Sequence, residues 1–228
     1  MRAPTRSTSI AGSRTSTWPA PRARGPLTAV VELPGSKSVT NRALVLAALA
    51  GGRSVVRRPL RSRDTELMAE ALRGLGVDVT DTSDGDWQVD GVAGPLQPRT
   101  RRIDVGNAGT VARFLPPVAT LAVGEVAFDG DPRVRERPLG PLLRALRALG
   151  ADLDNVEALP LVVRGSGRLP GGSVTLDASQ SSQLVSGLLL AAPRFDAGVT
   201  VRQQGGRLPS APHLAMTVEA LRAAGATV

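Results

Sequence analysis

Cysteine and tyrosine are absent from this chain of 228 residues. Without cysteine there is no disulfide, no thiolate metal site and no cysteine nucleophile. A reducing, cytoplasmic setting is the expectation. The single histidine, His213, leaves no His-rich metal cluster and no second imidazole for a relay. No metal and no cofactor is expected. Aromatic residues make up 2% of the chain, so the core must be built from Leu, Val and Ala. No apolar run approaches the ~18 residues needed to span a membrane. ALVLAALAGG, which follows Arg42, is too short and suits a buried helix. Lysine is nearly absent as well: of 28 basic residues, every one except Lys37 is arginine.

The formal net charge is +8. Such a surplus points to an anionic partner without saying which. Arg2, Arg6, Arg14, Arg22 and Arg24 lie in residues 1–25, which contain no acid and are rich in Ser, Thr, Pro and Ala. This segment reads as a disordered basic extension. It has no apolar core for a secretory signal. An organelle transit peptide is the alternative, disfavoured by the lack of an amphipathic face. A nucleic-acid-binding module is a rival reading of the charge. The scarcity of aromatics for base stacking and the concentration of charge in the tail count against it.

The chain repeats itself. ALRGLGVDV, ALRALGADL and ALRAAGATV end at Val79, Leu153 and Val228, with Gly76, Gly150 and Gly225 spaced by 74 and 75 residues. In the first copy Leu67, Met68, Ala71, Leu72 and Leu75 fall on one helical face, and in the second Leu139, Leu142, Leu143, Leu146 and Leu149 do so. Each glycine is expected to stop its helix in the left-handed conformation. A weaker echo precedes each helix. PGSKSVTNRALVLAALA, GNAGTVARFLPPVATLA and DASQSSQLVSGLLLAAP start about 71 and 72 residues apart. Each opens with small polar residues that favour helix starts and continues as an apolar helix. Candidate strands are AVVEL (29–33), SVVRRPL (54–60), WQVDG (87–91), EVAFDG (125–130), LPLVVRG (159–165), GGSVTLD (171–177) and GVTVRQQ (198–204). The expected fold is an α/β, pseudo-threefold domain of repeated βαβαββ units, with buried helices and outer mixed sheets. The third copy reaches Val228 without the strand pair of the other two, so the array is expected to be truncated.

Three polar turns stand at equivalent places: Ser36-Lys37-Ser38, Asn107-Ala108-Gly109-Thr110 and Ser181-Ser182-Gln183. Under pseudo-symmetry these helix N-termini converge, and each offers free N–H groups and the positive end of a dipole. With Lys37, Arg42 and nearby arginines they would hold a phosphate-bearing small molecule. Ordinary helix capping is the competing reading. A compact ammonium fits between two anionic groups where a planar guanidinium does not, which would account for Lys37. In DGDPRVRERPLGPLLRAL, alternation places Arg133, Arg135 and Arg137 on one side if the loop is extended. A Walker loop is excluded because Ser36 precedes Lys37 and the earlier glycine is missing. GSGRLPGG lacks the third glycine of a dinucleotide fingerprint.

Together, LPGSKSVTNRALVLAALA, RSRDTELM, GNAGTVARFL, DGDPRVRERPLGPLLRAL, DASQSSQLVSGLLLAAP and LPSAPHLAMT resemble the 5-enolpyruvylshikimate-3-phosphate synthase family, in the family's order from about residue 27 onward. The resemblance implies two similar domains of three repeats each. Residues 26–228 would then be the first enolpyruvyl transferase domain, incomplete and without the second. It implies transfer of the enolpyruvyl (carboxyvinyl) group from phosphoenolpyruvate to the 5-hydroxyl of shikimate 3-phosphate, by addition and then elimination of phosphate. It carries Lys37, Ser38 and Arg42 over as contacts of shikimate 3-phosphate, with Lys37 also reaching phosphoenolpyruvate as an electrostatic catalyst. Gly109 and Arg137 become phosphoenolpyruvate contacts, with Asn107 and Thr110 in the same turn as Gly109. Ser181, Ser182 and Ser210 hold phosphate, Gln183 lies between the substrates, and His213 stands where some members have tyrosine. Arg133 supports from behind. Phe114 replaces a proline common in the second motif. The family's aspartate base lies in the other domain, so this chain is expected to be inactive alone. The complete protein is expected to be a monomer that binds small molecules, not nucleic acid or membranes. The carboxyvinyl transferase acting on UDP-N-acetylglucosamine is a further alternative, and so is a non-catalytic phosphate-binding remnant.

Overall fold

A computed structural model describes residues 19–31 and 33–228. Contacts divide the chain into residues 1–33 and a compact unit, Pro34–Val228. Most of the basic extension lies outside the described residues. Residues 19–31 and 33 form no helix or strand and stand exposed. Of the strand expected at AVVEL, the described residues 29–31 and 33 form none: Val30 and Val31 have the propensity, but no described strand pairs with them.

Within Pro34–Val228 the first repeat holds α1 (Lys37–Leu49), β1 (Gly52–Val56), α2 (Arg63–Gly74), β2 (Asp78–Asp81) and β3 (Trp87–Gly91). The second holds β4 (Arg102–Asp104), α3 (Gly109–Ala119), β5 (Val123–Asp129), the short turn α4 (Pro132–Arg135), α5 (Gly140–Ala148), β6 (Asp152–Leu153) and β7 (Leu161–Ser166). The third holds β8 (Gly172–Leu176), α6 (Gln183–Ala191), a 3-10 turn (Ala192–Arg194), β9 (Val199–Gln203) and α7 (Ala211–Ala223).

Each repeat contributes one sheet, and the orders are β1-β3-β2, β4-β5-β7-β6 and β8-β9. In the second, β4 runs parallel to β5, and β7 pairs antiparallel with both β5 and β6. The first sheet repeats the antiparallel part, with Val79 opposite Val89. The third repeats the parallel part, with Val174 opposite Val201. Val79, Val89, Val126, Leu153, Val163 and Val174, which alternate along these strands, are all buried.

The helices divide as their sequences require. Every residue of α3 is buried, and α6 is buried along nearly its whole length. A side chain at Gly187 would meet the Arg113 carbonyl oxygen at 2.2 Å, so only glycine lets α6 approach α3 this closely. The three outer helices, α2, α5 and α7, end alike. Gly76, Gly150 and Gly225 have φ of +99°, +102° and +89°. The amides of Val77, Ala151 and Ala226 reach back to the carbonyls of Leu72, Leu146 and Leu221, each at 3.0 Å. The glycine amides bond Arg73, Arg147 and Arg222, each also at 3.0 Å. This is the paired C-terminal bonding that a left-handed glycine permits.

Candidate functional site

The N-terminal turns of α1, α3 and α6 meet at one end of the helix trio. Asn41 Nδ2 donates to Thr110 Oγ1 at 2.6 Å, tying α1 to α3. Arg113 Nη1 donates to Gln183 Oε1 at 3.0 Å, tying α3 to α6. Arg42 Nη2 donates to Ser186 Oγ at 3.2 Å, tying α1 to α6. The convergence expected from pseudo-symmetry is present. The N-cap residues Ser36, Ala108 and Ser182 make no side-chain capping bond. At α6 the Gln183 amide instead reaches Ser181 Oγ at 3.3 Å. At α2, by contrast, Ser62 N–H donates to Thr65 Oγ1 at 2.9 Å. Side-chain capping by the N-cap residue is thus absent at the three inner starts, and at α6 Ser181 supplies a side-chain bond in its place.

Lys37 is half-exposed, and its Nζ lies 2.7 Å from Asp64 Oδ2 at the start of α2. Ser38, one residue on, gives its carbonyl to Arg42 Nη1 at 3.0 Å. Arg42 turns inward and is 2% exposed. It bonds Thr217 Oγ1 at 2.7 Å and the His213 carbonyl at 3.2 Å, and its guanidinium lies 5.2 Å from the centre of the Phe114 ring. Burial lowers its pKa. Thr110 is likewise buried and bonded inside. Asn107 is half-buried, and its Oδ1 is a buried atom with no partner among the described residues. Ser182 is buried and Ser181 half-buried. Ser210 is exposed in the left-handed region, at φ +53°, just before α7. A non-glycine residue held there marks a constrained turn. His213 is half-buried in the first turn of α7.

The arginine loop departs from expectation. Pro132–Arg135 is a helical turn, not an extended loop, because Pro132 presets the helical φ at its first position. The three arginines therefore do not share one side by alternation. Arg135 folds back on Asp129 at 3.0 and 2.8 Å. Arg137 instead reaches Gly109: its Nη1 lies 2.6 Å from where a Gly109 Cβ would stand, and Arg113 Nη1 lies 2.7 Å from the same point. Among the described residues neither guanidinium has a carboxylate within ion-pair distance. Burial, and then the charge of Arg137, pushes the Arg113 pKa down to about 10. Two like charges therefore face one helix start with no acid between them among the described residues, a concentration of positive charge that an anion would relieve.

Sequence reasoning missed Asp64 and Arg113. Both lie inside quoted motifs, but nothing in their spacing marks them. Their roles depend on contacts across 27 and 70 positions of chain.

Three repeats with buried helices, outer mixed sheets and a shared cationic end have the enolpyruvyl transferase-like fold. Within that class, the family model of EPSP synthase (3-phosphoshikimate 1-carboxyvinyltransferase) matches residues 21–228, and the chain belongs to this family. Two solved structures of EPSP synthase from Acinetobacter baumannii are similar to it. Each has a TM-score of 0.72 and 26% sequence identity over 85% of this chain. The match takes in 43% of their length, so this chain spans less than half of the solved relatives. Among the described residues, no helix is long and apolar enough to cross a membrane.

Proposed function

We propose that this chain supplies one half of a site that transfers the enolpyruvyl group from phosphoenolpyruvate to the 5-hydroxyl of shikimate 3-phosphate. The hydroxyl attacks C2 of phosphoenolpyruvate while C3 takes a proton, and phosphate leaves the tetrahedral adduct. Both substrates are multiply anionic, so preorganised cations and helix amides are the main catalytic material of this half. The observation that carries the reading is the approach of Arg137 and Arg113 to the Gly109 helix start, with Gln183 beside them and no carboxylate among them.

In this reading Lys37, Arg137 and the Gly109 turn receive phosphoenolpyruvate. Ser38, Ser181, Ser182 and Ser210 receive the phosphate of shikimate 3-phosphate, with Lys37 shared and Gln183 between the two. Asn107 and His213 line the same end. Arg42 and Thr110, already bonded inside, hold the helix starts in place and act from beneath the ligands. None of the acids here matches the family's base, so the chain binds without turning over.

Titration of the purified chain with shikimate 3-phosphate is expected to show weak saturable binding. Adding phosphoenolpyruvate is expected to give no phosphate release above a protein-free blank. Phosphate release by the chain alone would refute the half-site, and absence of any saturable binding would refute the site itself.

A further inference from the structure

Arg113 has no assigned part in the reading above, yet its guanidinium touches the Gly109 turn, Gln183 and the residue that follows Arg137. The residue is 6% exposed. Nη1 donates to Gln183 Oε1 at 3.0 Å and to the Gly109 carbonyl at 3.4 Å. Nε and Nη2 donate to the Pro138 carbonyl at 3.3 and 3.2 Å. These acceptors belong to the first residue of α6, the first residue of α3 and the residue after Arg137. One rigid planar fork therefore fixes three separate segments at once.

Its charge adds a second constraint. Both Nη1 atoms, of Arg113 and of Arg137, stand within 2.7 Å of one point above Gly109. Arg113 is anchored by three oxygen acceptors, whereas Arg137 is exposed and free to turn. The two charges repel across this point, and the repulsion falls on the less anchored Arg137 until an anion joins the two.

We propose that Arg113 is a positioning residue, which sets Gln183, the Gly109 turn and Arg137 in place for phosphoenolpyruvate without touching it. This rests on the reading that those three groups receive phosphoenolpyruvate. Arg113→Lys keeps the charge and loses the fork. In nitrogen-edited NMR spectra of the unliganded variant, the Gly109 amide, the Gln183 side-chain amide and the Arg137 Nε–H are expected to shift. The Val79 and Val89 amides, in the first sheet, are expected to stay. With shikimate 3-phosphate present, phosphoenolpyruvate is expected to bind about tenfold more weakly.

Unmoved resonances overturn the proposal, as does binding equal to that of the parent chain. A parent chain that binds neither ligand refutes the proposed function instead, while the resonance test in the free protein still decides the role of Arg113. If Arg113→Lys does not fold, Gln183→Ala carries the test. Removing one acceptor should shift the Arg137 Nε–H and the Leu139 amide through Arg113, and resonances that stay in place sink the coupling.

Discussion

Replacing Gly109 by alanine separates the anion site from the fold that carries it. Gly109 is the first residue of α3 and lies in ordinary helical backbone, so alanine meets no φ penalty. Alanine is the better helix former, by up to ~1 kcal/mol in a helix interior and less at a first position. The new methyl, however, falls 2.6 Å from Arg137 Nη1 and 2.7 Å from Arg113 Nη1. Comfortable contact with carbon needs ~3.5 Å, so each nitrogen must retreat by about 1 Å. The exposed end of Arg137 gives way more easily than Arg113, which is held by Gln183 and Pro138. Misplacement by ~1 Å costs as much as ~100-fold where several groups must align. With one of two charges moved, about tenfold is expected, or ~1.4 kcal/mol. Calorimetric titration with phosphoenolpyruvate at saturating shikimate 3-phosphate measures this. Titration with shikimate 3-phosphate alone should change little, because Ser181 and Ser182 start α6 and not α3. The melting temperature should hold or rise slightly. Unchanged phosphoenolpyruvate affinity in a folded variant would refute the placement of Arg137. Parallel loss of both affinities with a lower melting temperature would show that Gly109 matters only to packing.

Two further outcomes follow from charges outside the site. Arg194 donates to the carbonyls of Leu49 at 3.0 Å, Val92 at 2.6 Å and Gly94 at 2.8 Å, as well as to Ala93, and so pins the C-terminal end of α1 and the loop after β3 to the third repeat. Arg194→Ala should cost about 3 kcal/mol, allowing for water at the exposed carbonyls, and Arg194→Lys should recover less than half of it, both read from urea unfolding. At Asp129, hydrogen bonds from Arg135 lower the carboxyl pKa, helped by the Gly130 amide and the charges of Arg135 and Arg102 and opposed by burial. A depressed folded value means that stability is present above the unfolded pKa of ~3.9 and is lost as pH falls through the folded value. Melting curves between about pH 6 and about pH 2 should therefore be flatter for Asp129→Asn than for the parent chain.

What the sequence disclosed was what local chemistry determines. Gly76, Gly150 and Gly225 were legible because a helix that must turn back at once needs φ > 0, and the three glycines recur at nearly constant spacing. The apolar faces of α2 and α5 followed from period alone: Met68, Leu72, Leu142 and Leu146 are all fully buried. Errors arose where the outcome depended on a partner. AVVEL has the composition of a strand, but among the described residues no strand offers it an edge. Residues 132–135 carried alternating arginines, but Pro132 and the pull of Asp129 on Arg135 decided for a helical turn. The three-residue strand β4 was not anticipated, since only its parallel pairing with β5 makes Arg102–Asp104 a strand.

The contrast between the one lysine and the inward-turned arginines now has a physical reason. Arg42, Arg113 and Arg194 each satisfy three or more fixed oxygen acceptors from segments far apart in the chain, and among the described residues none has a carboxylate as a hydrogen-bond partner. A planar fork with five donors is the group for that work, and an ammonium would leave some of these acceptors unmet. Lys37 has the opposite task. Its side chain is 49% exposed, and its one strong contact is an ion pair with Asp64 at 2.7 Å. Exposed pairs of this kind contribute only ~0–1 kcal/mol, so the pair yields readily to a better anion. A guanidinium at this position would grip Asp64 through two parallel bonds and give it up less easily. In the proposed reading lysine stands where a charge is released to a ligand, whereas these three arginines hold the fold.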